Sequence, residues 1–209
     1  MSSKKSVSLS ERQIEALREL INIGVGHGAE VLNTMLQSHI ALNVPEIQLT
    51  DINELERVLY PDSTSQLSAV EMKYRGNFTG SVELIFPTED ASKMVSLLIQ
   101  DELPPGEMDE LRSATLQEIG NVLLNAVMGT ISNIFSFSLK YSLPTYLEGD
   151  VGTLISQVEY EPGSVIICAK TRFTVADIQV EGTLVLFFSL TYFDDLLSKI
   201  ETYSGFTDR

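Results

Sequence analysis

A three-residue pattern occurs twice in this chain at one spacing. Glu19-Leu20-Ile21-Asn22 is followed, after a spacer of twenty-two residues, by Pro45, and Glu118-Ile119-Gly120-Asn121 is followed after a spacer of the same length by Pro144. All three positions are offset by 99 residues. A longer match, Gly80 to Phe86 against Gly182 to Phe188, has an offset of 102, so the loops of the second half carry three more residues. Each half therefore has to repeat the same succession of elements, which reads as helix, strands, helix. Glu30-Val31-Leu32-Asn33 repeats the Glu/Asn spacing, but position 56 holds a glutamate where the proline should stand.

Ser10 and Gln13 have capping-box spacing at the start of the first long helix. Apolar residues then recur at Ile14, Leu17, Ile21, Val25, Leu32 and Met35, a stripe of helical period that faces a core. Glu15, Glu19 and Asn22 project within about 60° of one another to the side of that stripe, where they meet solvent or a partner. Gly24, Gly26 and Gly28 interrupt the helix at about 1 kcal/mol each relative to alanine. Gly24 and Gly28 project to the buried side and permit close packing. Gly26 falls on the Glu19/Asn22 flank, one turn beyond Asn22. The 99-residue offset sets Asn125 opposite Gly26, and Leu123 and Val127 opposite Gly24 and Gly28.

After Pro45 the pattern predicts strands at 46–50, 67–74 and 78–86, a loop at 61–65, and a helix at about 89–100. Glu107, Asp109 and Glu110 open the second long helix, where negative charge suits the N-terminal dipole. A terminal helix is predicted at about 192–203. Neighbouring strands joined by short turns imply antiparallel pairing.

With 29 acidic against 14 basic residues and a net charge of −15, nucleic acid and anionic membrane surfaces are disfavoured as partners. The single Cys168, in the apolar run Val165 to Ala169, reads as a buried strand residue and leaves no cysteine pair for a disulfide or a metal. His27 and His39 project about 120° apart on a continuous helix, which argues against a shared metal site. The N-terminus is polar with no apolar signal core, and the longest nearly apolar run, 184–193, is too short to span a bilayer. A cytoplasmic compartment is expected.

The doubled Glu-x-x-Asn-x22-Pro pattern resembles the CheC/CheX/FliY family of bacterial chemotaxis phosphatases, and its CheC branch in particular, whose members carry it twice. The resemblance covers essentially the whole chain. It implies an α+β, internally duplicated CheC-like fold: an antiparallel sheet shared by two pseudo-symmetric halves, with two long helices packed on it. Residues 1–209 would form a single domain of two repeats, about 10–103 and 107–204. The implied activity is hydrolysis of the aspartyl phosphate on the response regulator CheY. Asn22 and Asn121 would orient the attacking water, and Glu19 and Glu118 would anchor the partner through its lysine. Glu15 and Gly26 are candidate partner-binding positions. The chain itself would bind no cofactor and no metal, since Mg²⁺ comes with the response regulator. Family precedent also brings in the receptor deamidase CheD as a partner. The chain departs from the family at the Asp/Ser position preceding the motif, which is Glu15 in the first copy and Ala114 in the second, with Ser113 one residue out of register. Two alternatives stand beside this reading: a noncatalytic CheY-binding flagellar-switch or adaptor module, and a phosphatase for a response regulator outside chemotaxis.

Overall fold

Two helices dominate the molecule, α1 (Glu11–Leu36) and α4 (Pro105–Phe135), and they lie side by side on one face of a seven-stranded sheet. The computed structural model describes residues 9–37, 39–59, 66–99, 105–158, 164–175 and 178–202. The strands are β1 (Ile40–Thr50), β2 (Leu67–Gly76), β3 (Gly80–Pro87), β4 (Leu139–Tyr141), β5 (Thr145–Gly149), β6 (Val165–Val175) and β7 (Ile178–Phe188). The remaining helices are α2 (Leu55–Leu59), α3 (Thr88–Ile99), α5 (Val151–Gln157) and α6 (Leu190–Thr202). The predicted loop at 61–65 lies outside the described residues.

The sheet runs β1-β6-β7-β3-β2-β4, with β5 also on β2, and every pairing is antiparallel. Strands from both halves of the chain share it, and β7 meets β3 at the centre. Side chains alternate across each strand. On β2, Val70, Met72 and Tyr74 face the core under α1, α4, α3 and α6, whereas Leu67 and Ala69 face a smaller core under α2 and α5. Covered on both faces, the 165–169 part of β6 and the 184–188 part of β7 are unbroken apolar runs, and the predicted burial of Cys168 holds. Burial pushes its thiol up to about 12, with the carboxylate of Glu83 adding to the shift, so it stays protonated and unreactive.

The capping box at Ser10 and Gln13 forms as predicted. The apolar stripe of α1 is buried at Leu17, Ile21, Val25 and Leu32, while Ile14 and Met35 at its ends are exposed. Both long helices stop in the same way, on a non-glycine residue in the left-handed region: Gln37 after α1 (φ 51°) and Ser136 after α4 (φ 55°). These residues are themselves 99 apart.

Pro45 does not precede the first strand, as the sequence suggested, but sits inside β1. The ladder with β6 pairs Asn43 with Arg172 and then Glu46 with Lys170, so Val44 and Pro45 together oppose Thr171 in a bulge. Proline is tolerated there because β1 is an edge strand and a bulge residue owes the ladder no N–H. The short helices α2 and α5 went unread in the sequence. The second had a legible start, since the Asp150 side chain caps the backbone N–H of Thr153.

The glycines of α1 divide as projected. A Cβ on Gly24 would lie 2.7 Å from the Val127 Cα, and one on Gly28 would lie 2.8 Å from Leu123. The residues that fill these notches are the 99-offset counterparts of the glycines, taken in the opposite order, so α1 and α4 run antiparallel. A Cβ on Gly26 would meet nothing within 4 Å. Gly26→Ala should therefore raise stability by up to about 1 kcal/mol through helix propensity alone. Gly24→Ala should lower it, because backbone must move to admit the methyl. Denaturant unfolding of the two variants checks the opposite signs.

Glu71 and Glu83 stand directly opposite one another on β2 and β3, both buried. Burial, reinforced by the charge of Glu71 and opposed by Lys73, pushes the Glu83 carboxyl up to about 8. A carboxyl whose pKa is raised on folding takes up a proton as the chain folds. Its favourable contribution is complete below the ordinary value of 4.5 and is lost as pH rises towards 8. Glu83→Gln, which needs no proton, should melt higher than the wild type by a margin that widens between these two pH values. Thermal melts across that range test the slope.

Candidate functional site

The first motif lies on the middle of α1. Asn22 is half-buried and spends both ends of its carboxamide on one residue: Oδ1 accepts from the Val44 N–H at 2.8 Å, and Nδ2 donates to the Val44 carbonyl at 3.3 Å. Arg18 Nη1 donates to the Pro45 carbonyl at 3.5 Å, and its other nitrogen pairs with Glu15. Glu19 is half-buried, and the flank around Gly26 is open. The fixed interval in the motif thus has a geometric cause. The helix runs on to Leu36, turns at Gln37, and the returning strand brings Val44 and Pro45 back beside Arg18 and Asn22.

The second motif lies at the corresponding place on α4 with different partners. Gln117, the counterpart of Arg18, donates to the Pro144 carbonyl at 2.7 Å. Among the described residues Asn121 makes no bond to the strand. Its Oδ1 accepts from Asn125 Nδ2 at 2.8 Å, and Asn125 Nδ2 also reaches the Asn121 carbonyl at 2.7 Å. Among the described residues nothing accepts from the Asn121 Nδ2. Glu118 is exposed and makes no ion pair among the described residues. Ala114 places an exposed methyl where the first copy has Glu15, and Ser113 turns its hydroxyl back to the Glu110 carbonyl at 2.8 Å.

The strand beside each motif differs to match. Val44 is 2% exposed, whereas its counterpart Leu143 is 87% exposed. In the second half Ser142, Leu143 and Pro144 separate β4 from β5. Ser142 ties this break to β2 unaided: its N–H donates to the Lys73 carbonyl at 2.8 Å, and its Oγ accepts from the Lys73 N–H at 3.0 Å.

The antiparallel crossing at Gly24/Val127 and Gly28/Leu123 sets Asn22 and Asn121 on the order of 10 Å apart along the helix axes. The motifs are separate sites. His27 bridges the helices: Thr130 Oγ1 donates to the Ala126 carbonyl, so His27 Nδ1 is the donor in its 3.3 Å contact with that hydroxyl. His39 is exposed and lies beyond the end of α1. Among the described residues no group of three or more His, Cys, Asp or Glu converges as a metal site. No helix among them is long and apolar enough to cross a membrane.

Each motif therefore places a carboxylate and a carboxamide one helical turn apart. Such a pair can offer a partner one negative charge together with a hydrogen-bond donor and acceptor. Sequence reasoning reached Glu19, Asn22, Glu118, Asn121, Gly26 and Asn125. It missed Arg18, Gln117 and Ser142, although the 99-residue offset does align Arg18 with Gln117 as two long donors.

No protein-family model matches the chain. Sequence relatives do. It is 26% identical over 152 residues to the Bacillus subtilis CheY-P phosphatase CheC, spanning 71% of this chain and 72% of that protein. It is 22% identical over 194 residues to the B. subtilis flagellar motor switch phosphatase FliY, spanning 92% of this chain but 50% of that protein. The fold matches Thermotoga maritima FliY with a TM-score of 0.71 at 17% identity, covering 96% of this chain and 98% of that one. The chain is thus similar in sequence to members of the CheC/CheX/FliY family and shares their fold. A further member of this family, CheX of Borrelia burgdorferi in its complex with CheY, BeF₃ and Mg²⁺, matches with a TM-score of 0.54 at 19% identity, over 82% of this chain and 99% of that one. The antiparallel sheet with two long helices on one face is the family fold that the sequence pattern implied.

Proposed function

We propose that this chain accelerates hydrolysis of the aspartyl phosphate on a CheY-like response regulator in chemotaxis. The observation that carries the reading is the second motif: Glu118 and Asn121 side by side on the open flank of α4, with an amide Nδ2–H₂ that nothing among the described residues accepts from. The names of its relatives, a CheY-P phosphatase and a motor switch phosphatase, support the substrate, and the CheX–CheY complex supports the partner.

In this reading the response regulator brings the phosphoryl group, the Mg²⁺ and a lysine. Glu118 pairs with that lysine and sets how deeply α4 enters. The Asn121 carboxamide keeps one acceptor lone pair on Oδ1 and two donors on Nδ2. It holds a water in line with phosphorus through both. The water oxygen attacks, the phosphorus–aspartate oxygen bond breaks, and the partner's aspartate leaves as a free carboxylate beside inorganic phosphate. A neutral amide suffices because phosphoryl transfer needs positioning and charge stabilisation more than proton abstraction. Glu19 and Asn22 are the corresponding pair in the first copy, with Glu15 and the open space at Gly26 beside them.

The decay of phosphorylated CheY-like proteins, followed with and without this chain, tests the reading. The wild type should speed it, and Asn22→Ala combined with Asn121→Ala should lose on the order of 10²-fold of that acceleration while keeping a native fold. An unchanged rate in the double variant would remove the motif from the mechanism and favour a noncatalytic CheY-binding module.

A further inference from the structure

We infer that the two copies of the motif hold different jobs: Asn121 is the working carboxamide, aimed by Asn125, and Asn22 is a brace that completes the edge of the sheet. The inference rests on the proposed phosphatase reading for the role of Asn121, and on geometry alone for that of Asn22.

The case begins with the backbone of the two strand breaks, since polar groups that leave a ladder must find other partners. In β1 the bulge takes Val44 and Pro45 out of register with β6. Val44 is buried, so water is no substitute. Helix α1 meets the whole need. Asn22 accepts from the Val44 N–H and donates to its carbonyl, Arg18 donates to the Pro45 carbonyl, and proline has no N–H to satisfy. Withdrawing Asn22 to reach a partner would leave a buried N–H and a buried carbonyl unpaired, the expensive case for hydrogen bonds.

The second half solves the same problem without its asparagine. Two residues of β2 separate Glu71, paired with Thr145, from Tyr74, paired with Tyr141. They face three residues, Ser142, Leu143 and Pro144. Ser142 bonds both backbone groups of Lys73, Ser142 Oγ also donates to the Leu143 carbonyl at 3.0 Å, and Gln117 takes the Pro144 carbonyl. The counterpart of Ser142 in the first half is Asn43, and the counterpart of Asn125 is Gly26. Relieved by Ser142, Asn121 is free of the strand. The Asn125 amide then fixes which way it points: a donor against Oδ1 holds the oxygen towards Asn125 and turns the Asn121 Nδ2 outward. Gly26 can offer Asn22 no such contact. Leu143, turned out of the fold beside Pro144, adds an apolar contact at the second site alone.

The test pairs thermal melting with the phosphate-decay assay on single variants of the full chain. Asn22→Ala should lower the melting temperature by about 5 °C, the scale of two lost hydrogen bonds in a chain of this size, and should speed amide exchange at Val44. Asn121→Ala should leave the melting temperature near wild type and by itself remove at least about nine-tenths of the acceleration. Asn125→Ala should lower the maximal rate about tenfold while the half-saturating concentration of response regulator stays near wild type, with partial recovery in Asn125→Gln. The inference is overturned if Asn121→Ala keeps half or more of the acceleration, or if Asn22→Ala melts like the wild type. A wild-type chain that speeds no response regulator overturns the phosphatase reading and the role of Asn121 with it. The melting comparison separates that failure from failure of the brace.

Discussion

Two long helices can share one face of a sheet only if their axes come close, and here that approach depends on backbone meeting side chain at Gly24 and Gly28. Val127 and Leu123 fill the two notches. With bulkier residues at those positions α1 would stand away from α4, and the core beneath both would open. The same contact fixes where the two Glu/Asn pairs sit, on separate stretches of an antiparallel pair rather than in one cleft.

Each long helix also carries the loose end of the strand that follows it. From Arg18 and Gln117 a long donor crosses to the carbonyl of the motif proline, at equal sequence separation in the two halves. One helical turn further along each helix, at Asn22 and Asn121, the halves part. Asn22 is drawn into the bulge, Val44 is buried and the helix flank closes over β1. Asn121 stays out, Leu143 is exposed, and Ser142 does the joining. A single change in who satisfies the backbone thus alters what the helix offers to solvent.

Away from the motifs, the opposite face of the sheet holds a second constraint. Glu71 and Glu83 lie side by side in a position most sheets reserve for apolar pairs, with the Glu83 carboxyl held protonated at neutral pH by burial. Cys168, lying beyond Val185 along the same row of strands, is kept inert by the same low-polarity surroundings. The polar side chains of the two motifs lie instead on the helix flanks across the sheet from this pair.

Helix periodicity, the 99-residue offset and the glycine positions are local quantities, and they were enough to place α1 and α4, the antiparallel strands, the burial of Cys168 and the four motif residues. They were enough also to say that Gly24 and Gly28 face a neighbour and that Gly26 does not. What the chain could not declare by itself was which backbone groups would be left unpaired once the sheet formed. Pro45 looked like the start of a strand because proline cannot donate, yet on an edge strand that same lack allows a bulge. Gln37 and Ser136 carry no glycine signal for the left-handed turn they adopt. Asn22 and Asn121 are indistinguishable as motif residues. They part only when β1 leaves the Val44 backbone unpaired beside the one, and Ser142 bonds β2 beside the other, because hydrogen-bond satisfaction is settled between segments far apart in the chain.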